Sequence, residues 1–262
     1  MNRNSFTNLY PVTSFLLLLN GSFFLLQNIT HDIGGFSFVT KNLGALWGAK
    51  IHDGEFWRLL STTFLHGDLL HVAMNSWILL DLGKLCEPRL SKSKFFSIYI
   101  LSALGGATAS YAWGRGGGLE LFRSHSFVDW SSIMLGVKEA TGRGSSAFEN
   151  HFSVGCSTAL AGLVGMLLVY SIKERHAALR RMLVKWVFLI ALLSLLIPRI
   201  DHAGHLGGLI VGGICGLTME DYATSKTSLR WRIPAALTGL AMVASLAMAI
   251  YNFGKIYWSW TF

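Results

Sequence analysis

The sequence predicts an all-α fold, a polytopic bundle of transmembrane helices. Of its 262 residues, 52% are hydrophobic and 14% are charged, the mean hydropathy is +0.46, and long apolar runs alternate with polar connections. Soluble globular domains carry about 25% charged residues. The composition therefore excludes a water-soluble globule, and we expect residues 1–262 to form a single membrane domain.

Seven apolar segments are long enough, or almost long enough, to cross a hydrocarbon core of about 30 Å. The fifth is the weakest because it is short and contains Lys185, so we expect tilt or local thinning of the bilayer to accommodate it. Pro88, Pro198 and Pro234 fall at segment edges, where helices tolerate proline. The predicted segments cover residues 10–28, 66–84, 95–113, 157–172, 183–197, 203–219 and 233–251.

The distribution of Lys and Arg predicts that the N-terminus lies in the cytoplasm. In that orientation 13 of the 22 basic residues lie in cytoplasmic connections, and the other nine are spread over external connections that are much longer in total. The second, fourth and sixth segments then run inward, so their N-terminal ends meet near the external face. Two external connections are long, residues 29–65 and about 114–156.

The net charge and the cysteines indicate no further kind of site. The charge of +8 is explained by the basic cytoplasmic connections, and no basic stripe interleaved with stacking aromatic residues predicts a nucleic-acid partner. Cys86, Cys156 and Cys215 are odd in number and far apart, without C-x-x-C spacing. They predict neither a disulfide framework nor a zinc knuckle.

Polar side chains occur at the three segment ends that the topology brings together. His71 and Asn75 lie one helical turn apart in the second segment. Ser157 opens the fourth segment, and His205 lies near the start of the sixth. Because ionisable groups inside a membrane are costly unless they face protein or water, each of these residues is a functional candidate.

These residue types suit acyl transfer. A serine hydroxyl is a weak nucleophile until a base removes its proton, and the imidazole of His205 could do this for Ser157. The tetrahedral intermediate carries negative charge on oxygen and needs hydrogen-bond donors fixed in advance. His71, Asn75 and the Ser157 N–H can donate, and the N-terminus of a helix favours an anion.

Water must reach such a site. The fourth segment has about 16 residues, or about 24 Å of helix, which is shorter than a hydrocarbon core of about 30 Å. Its first residue should therefore lie below the external surface. This predicts a water-filled depression that opens outward.

A stripe of small residues predicts how the fourth and sixth segments pack. Glycines recur every four residues along the sixth segment, and such spacing lets a neighbouring helix approach closely. This contact would bring His205 to Ser157. The stripe is Gly204, Gly208, Gly212 and Gly216, and Gly162 and Gly165 offer a partly matching surface on the fourth segment.

The functional candidates resemble the motifs of the rhomboid family of intramembrane serine proteases. Gly155-Cys156-Ser157 resembles the family's G-x-S nucleophile motif, and His71 with Asn75 resembles its H-x-x-x-N motif. His205 and the glycines after it resemble the last core helix, which carries the base.

Further motifs extend the resemblance over about residues 55–216 in the family's order. Trp57-Arg58 resembles the W-R pair of the external loop, and Glu87 with Arg89 resembles the E-x-R that follows the second helix. The glycines that belong to the family's motifs are Gly155, Gly204, Gly208 and Gly212.

The resemblance implies a six-helix core over about residues 10–219 and an extra C-terminal helix over about 233–251. It implies a Ser157–His205 catalytic dyad without a third acidic member, and an oxyanion hole formed by His71, Asn75 and the Ser157 N–H. The expected substrates are single-span membrane proteins in the lipid bilayer, cut near the outer end of their spanning helix. Neither a metal nor a cofactor is implied. We expect an integral multi-pass protein of a bacterial inner membrane.

Some positions depart from the family's pattern or play supporting roles. Thr158 stands where the family usually has glycine, and Ala161 stands where it usually has an aromatic residue that stacks on the catalytic imidazole. We interpret Trp57 and Arg58 as an anchor of the external loop at the membrane interface. Asp201 is expected to cap the sixth helix.

Four alternatives remain. A metal site could use His66, His71, His202 and His205, although no H-E-x-x-H motif occurs. An aspartyl protease is disfavoured because no pair of membrane-embedded aspartates is present. A rhomboid-like protein that binds membrane clients without cutting them would be expected to lose the serine or histidine. A transporter would show an inverted repeat or broken helices, and neither is evident.

Overall fold

A computed structural model describes residues 6–115, 152–196, 200–219 and 229–261. Seven long helices dominate these ranges and correspond to the seven predicted segments, so the predicted all-α bundle is confirmed. In chain order, the elements are α1 (Phe6–Leu9), α2 (Pro11–Ile29), a 3₁₀ turn (His31–Ile33), α3 (Phe36–Asn42), β1 (Leu46–Trp47), α4 (Gly48–His52), α5 (Arg58–Ser61), a 3₁₀ turn (Thr62–Phe64), α6 (Leu69–Cys86), α7 (Lys92–Arg115), β2 (Phe152–Ser153), α8 (Ser157–Lys173), α9 (Ala177–Leu196), α10 (His202–Thr218) and α11 (Leu229–Thr261).

The fifth long helix corrects one prediction. It begins at Ala177, six residues earlier than expected, and has 20 residues. The first turns contain Arg180 and Arg181. Arginine forms helix readily, but its charge excluded these residues from the predicted apolar segment. The Nδ1 atom of His176 accepts a 3.3 Å hydrogen bond from the Leu179 N–H and so caps the start of the helix.

The last helix corrects a second prediction. It has 33 residues, against a predicted span of 233–251, and Pro234 lies inside the helix rather than at its edge. Pro88 lies in the turn after α6, as expected, whereas Pro198 lies outside the described residues.

Among the described residues, three helices are long and apolar enough to cross a membrane, judged by length and composition. They are Pro11–Ile29, Lys92–Gly114 and Trp231–Ser259, and Ser157–Lys173 is a shorter apolar helix. Membrane crossing by the other predicted segments stays a prediction.

The predicted close packing of the fourth and sixth segments is confirmed. Gly208 of α10 faces the carbonyl of Thr158 in α8, and Gly212 faces the carbonyl of Gly162. At both glycines a Cβ atom would overlap the opposing backbone, so no larger residue fits without moving a helix.

Lys173 at the end of α8 supports the C-terminus of α10. Its Nζ atom donates to the carbonyls of Gly216 (3.1 Å), Leu217 (2.8 Å) and Met219 (2.8 Å). Carbonyls in the last turn of a helix lack intrahelical partners, and a cation there also complements the helix dipole.

Glu87 and Arg89 tie helices together at the C-terminal end of α6. The Glu87 carboxylate accepts hydrogen bonds from the backbone N–H and the hydroxyl of Thr13, each at 2.6 Å, and from the Val12 N–H at 3.3 Å. It therefore caps the start of α2 from a distant position. The guanidinium of Arg89 lies 5.9 Å from the ring centroid of Tyr170 in α8.

Arg58 organises the connection between α2 and α6, residues 30–68, from inside the protein; we call this segment the α2–α6 connection. Its side chain is 1% exposed, and its Nη1 atom donates to the carbonyls of Lys41 (2.5 Å) and Ala45 (3.2 Å). Its Nε atom donates to Glu55 at 2.7 Å, and the guanidinium lies 4.6 Å from the Trp57 ring centroid. Burial lowers the pKa of Arg58, and the Glu55 carboxylate partly offsets this. The prediction of an anchor at the membrane interface is therefore wrong for Arg58.

The last helix is bonded to the same connection. The Ser245 hydroxyl of α11 donates to the carbonyl of Trp57 at 2.7 Å, and the Asn252 amide donates to the carbonyl of Asn42 at 3.3 Å. Because these residues are seven positions apart, they share one face of the helix. The extra helix is thus an integrated part of the bundle.

Candidate active site

The segment that leads into α8 is held by the α2–α6 connection. Strands β1 and β2 pair antiparallel, with Leu46 opposite Ser153. The Thr62 hydroxyl donates to the Ser153 carbonyl at 2.7 Å, and the Gly155 N–H donates to the Thr62 carbonyl at 3.0 Å. The backbone just before Ser157 is therefore fixed by hydrogen bonds from the 3₁₀ turn.

Gly155 brings His71 and Asn75 beside this backbone. Its φ of +118° is a conformation that L-residues rarely adopt. A Cβ at this position would lie 2.8 Å from both Cε1 and Nε2 of His71 and 3.5 Å from the Asn75 Nδ2 atom. Glycine is thus required twice, for its conformation and for the close approach of these two α6 side chains.

The backbone near His71 contacts one of its two ring nitrogens. The Gly67 N–H donates to Nδ1 at 3.3 Å, so Nδ1 is placed as an acceptor. A neutral imidazole with Nδ1 as acceptor carries its proton on Nε2, which faces Gly155. The Nδ2 atom of Asn75 is buried and has no partner among the described residues. Two N–H donors therefore lie next to the turn before Ser157.

The N-terminus of α8 adds further donors. Cys156 occupies the N-cap position and makes no side-chain cap hydrogen bond. The N–H groups of the first turn are consequently open to another acceptor, and the helix dipole favours an anion there. Ser157 is the first residue of this helix and is half-buried.

His205 lies in the first turn of α10, whose start is fixed by Asp201. One carboxylate oxygen of Asp201 accepts a 2.8 Å hydrogen bond from the Gly204 N–H, which confirms the predicted N-cap. The other oxygen accepts a 3.2 Å hydrogen bond from the Ser153 hydroxyl. The Nδ1 atom of His205 is buried and, within the described ranges, has no hydrogen-bond partner.

The first turns of α8 and α10 meet at Gly106 of α7. A Cβ at position 106 would lie 2.6 Å from the Thr158 Cβ and 2.7 Å from the Gly204 carbonyl oxygen. Ser157 and His205 are the chain neighbours of Thr158 and Gly204, so the structure brings their two helix ends together. In the described structure the Ser157 hydroxyl and the His205 ring form no direct hydrogen bond.

The two departures from the family's pattern have different consequences. Thr158 is buried against Gly106, which leaves space for the larger side chain. With Ala161 in α8, no aromatic ring of the described residues packs on the imidazole of His205. The ring of His205 therefore lacks the stacking support that the family usually provides.

His66 lies behind this arrangement and is fully buried. Its ring centroid is 5.2 Å from that of His71, and its Nε2 atom is 3.9 Å from the Cys156 sulfur. Within the described ranges, no three His, Cys, Asp or Glu side chains are grouped to hold a metal ion.

Sequence reasoning missed a set of polar residues on α2. Thr13, Asn20 and Gln27 are each 0% exposed and recur every seven residues. The rule that polar residues in a membrane helix face the protein interior would have identified them. Asn20 donates to the Cys156 sulfur at 3.5 Å, which links α2 to the start of α8.

Comparison with known proteins identifies the family that this fold and site define. A sequence model described as a Rhomboid domain matches residues 53–221, more than half of the chain. The chain belongs to the rhomboid family and is an integral membrane protein. The resemblance stated from the motifs is therefore confirmed at the level of the family.

Individual relatives extend the similarity beyond this range. The chain is 28% identical to rhomboid protease GluP of Bacillus subtilis (strain 168) over 215 residues, 79% of this chain and 33% of the relative. It is 28% identical to rhomboid protease AarA of Providencia stuartii over 188 residues, 66% of this chain and 60% of the relative. It is 27% identical to RHOMBOID-like protein 5 of Arabidopsis thaliana over 187 residues, 68% and 49% of the two chains. The chain thus spans less than two thirds of each of these relatives.

Proposed function

We propose that this protein is an intramembrane serine endopeptidase that cleaves single-span membrane proteins near the external membrane face. Ser157 is the nucleophile and His205 the general base and acid. The Nε2 atom of His71, the Nδ2 atom of Asn75 and the Ser157 N–H form the oxyanion hole. The protein lies in a bacterial inner membrane with its N-terminus in the cytoplasm.

One observation carries the proposal most strongly. His71 and Asn75 both approach Gly155, two residues before Ser157, and place their N–H donors beside the N-terminus of α8. Such a cluster of donors is costly to build beneath a membrane surface unless an anion occupies it in the reaction. Membership of the rhomboid family and the relatives named as proteases support the same reaction.

The reaction proceeds in two stages. His205 takes the proton of the Ser157 hydroxyl as the oxygen attacks the scissile carbonyl carbon, and the carbonyl π electrons move onto the oxygen. When the carbonyl reforms, the C–N bond breaks and the protonated His205 gives its proton to the leaving amine. Water then attacks the acyl-enzyme and loses a proton to His205, and the released Ser157 oxygen regains that proton.

Asp201 has no part as a third catalytic member. Its two carboxylate oxygens are engaged by the Gly204 N–H and the Ser153 hydroxyl. Its role is to fix the start of α10 and thereby the backbone that carries His205.

A serine-directed fluorophosphonate probe tests the proposal. We expect the probe to label the wild type, and Ser157→Ala to abolish both labelling and the cleavage of a single-span substrate in reconstituted membranes. We expect His205→Ala to lower cleavage by about 10⁴-fold. Ser171→Ala is a matched control on the same helix, because this hydroxyl bonds only to the Leu168 carbonyl. Unchanged cleavage by Ser157→Ala would contradict the proposal.

A second candidate function is the binding of membrane clients without cleavage. The absence of an aromatic ring on His205 among the described residues favours it, since the imidazole lacks the stacking that holds the base in active members of the family. A folded wild type that binds a single-span protein but neither cleaves it nor reacts with the probe would establish this alternative.

A further inference from the structure

Gln27 of α2 is buried and makes three hydrogen bonds to Thr40 and His66 of the α2–α6 connection. Its Nε2 atom donates to the Thr40 hydroxyl at 2.7 Å and to the His66 carbonyl at 2.9 Å. Its Oε1 atom accepts from the His66 N–H at 3.1 Å. The amide is thus paired with both backbone groups of one residue, which leaves neither end of the side chain free to rotate.

The bonded carbonyl belongs to a peptide unit that also contacts His71. The carbonyl of His66 and the N–H of Gly67 lie in the same planar unit, on opposite sides of a trans peptide bond. On one side the carbonyl accepts from Gln27, and on the other side the N–H donates to the Nδ1 atom of His71. Fixing this peptide plane therefore fixes the direction of the N–H that meets the imidazole.

The hydrogen bond at one ring nitrogen decides where a neutral imidazole carries its proton. With Nδ1 occupied as an acceptor, Nε2 carries the proton and can donate toward Gly155. The other tautomer would present a lone pair at Nε2 and repel an oxyanion. A rotated peptide at position 66 would therefore weaken the donor without moving His71 itself.

We propose that Gln27 is a positioning residue that selects the His71 tautomer with its proton on Nε2. The inference rests on the proposed function, in which this N–H stabilises the oxyanion. It assigns to α2, which lies outside the residues 53–221 matched by the family model, a role in the chemistry of the site.

The tautomer can be measured in the wild type. We would record ¹⁵N spectra of histidine-labelled protein above the titration range of the imidazole and assign His71 by its loss in His71→Gln. We expect a protonated Nε2 and an unprotonated Nδ1. A proton found on Nδ1 of His71 would overturn the inference, whatever the activity of the protein.

The role of Gln27 is tested by Gln27→Met, which keeps the side chain's approximate size and removes its hydrogen bonds. We expect the ¹⁵N spectrum to show both tautomers of His71, and kcat per folded molecule to fall about tenfold with KM unchanged, because an oxyanion donor acts mainly in the transition state. Asn28→Met is the matched control, since its amide is exposed and bonds only to the Phe24 carbonyl of the same helix. We expect wild-type kcat from this control.

The outcomes separate three explanations. A purely structural role would lower the unfolding temperature of Gln27→Met but leave kcat per folded molecule and the His71 spectrum unchanged, and this would overturn the inference. If Gln27→Met fails to fold, Thr40→Val removes one acceptor of the same amide, and we expect a smaller fall in kcat; an unchanged kcat and spectrum would overturn the inference. A wild type without any cleavage would instead refute the proposed function, independently of the tautomer.

Discussion

Thr158 of α8 packs directly on Gly106 of α7, and this contact is closer than a side chain at position 106 would allow. A Cβ at position 106 would lie 2.6 Å from the Thr158 Cβ. Thr158 is in the first turn of α8, directly after Ser157. The pair explains how the helix end tolerates threonine at a position where the family usually has glycine.

Gly106→Ala is expected to destabilise the protein by about 1–3 kcal/mol, because the added methyl group overpacks the contact. Thermal unfolding in detergent measures this. Combining Gly106→Ala with Thr158→Gly should recover part of the loss, although the Gly204 carbonyl remains close. The control is Gly21→Ala in α2, where the added Cβ would meet no other helix within 4 Å. Equal effects at positions 21 and 106 would contradict the packing argument.

Lys173→Met is expected to lower the free energy of unfolding by about 1 kcal/mol, since three carbonyls at the end of α10 lose their donor. Hydrogen exchange should become faster in the last turn of α10. Lys84→Met serves as the control, because Lys84 is exposed and pairs only with Asp81 at 3.6 Å. If Lys173→Met lowered the free energy of unfolding no more than the control, the hydrogen bonds from Lys173 to the end of α10 would contribute little.

Arg58→Lys is expected to cost about 2–3 kcal/mol although it keeps the charge. A lysine cannot reproduce the planar fork that reaches Glu55 and the carbonyl of Lys41 together. Thermal unfolding measures the loss, and we also expect slower labelling by the fluorophosphonate probe. Lys50→Met is the comparison, because that side chain is 39% exposed and pairs only with Asp53, at 3.3 Å. Wild-type stability in Arg58→Lys would refute a structural role for the fork.

Ser245→Ala is expected to cost about 1 kcal/mol by removing the hydrogen bond to the Trp57 carbonyl. Hydrogen exchange should rise in the α2–α6 connection, at residues 57–62, rather than within α11. Thr238→Val is a matched control on the same helix, since the Thr238 hydroxyl bonds to carbonyls of its own helix. If both variants changed exchange in the connection equally, the bond from Ser245 would not be what holds it.

Much of the fold could be predicted from the sequence, because the apolar runs and the glycine spacing of the sixth segment are local patterns. The start of α9 could not, since Arg180 lies in a helical turn that an apolar window excludes. The burial of Arg58 was also missed. It depends on the carbonyls of Lys41 and Ala45, and no pattern near position 58 reveals these partners.

In the candidate site, too, residues in local motifs could be predicted, whereas residues that depend on distant contacts could not. Short motifs identified Ser157, His205, His71 and Asn75 because each carries a chemically distinctive group at a helix end. Gln27 was passed over because one amide in an apolar run has no motif, and its partner at position 66 is 39 residues away. The seven-residue spacing of Thr13, Asn20 and Gln27 along α2 indicates a buried polar face, but only the contacts of Gln27 show what its side chain binds.

The bond between Ser245 and Trp57 joins residues 188 positions apart. Trp57 is therefore synthesised long before the helix that bonds to its carbonyl. Until α11 has packed, the α2–α6 connection lacks this hydrogen bond, although the same connection holds the backbone before Ser157 through Thr62. Packing of α11 thus stabilises, from a distant point in the sequence, the segment that leads into α8.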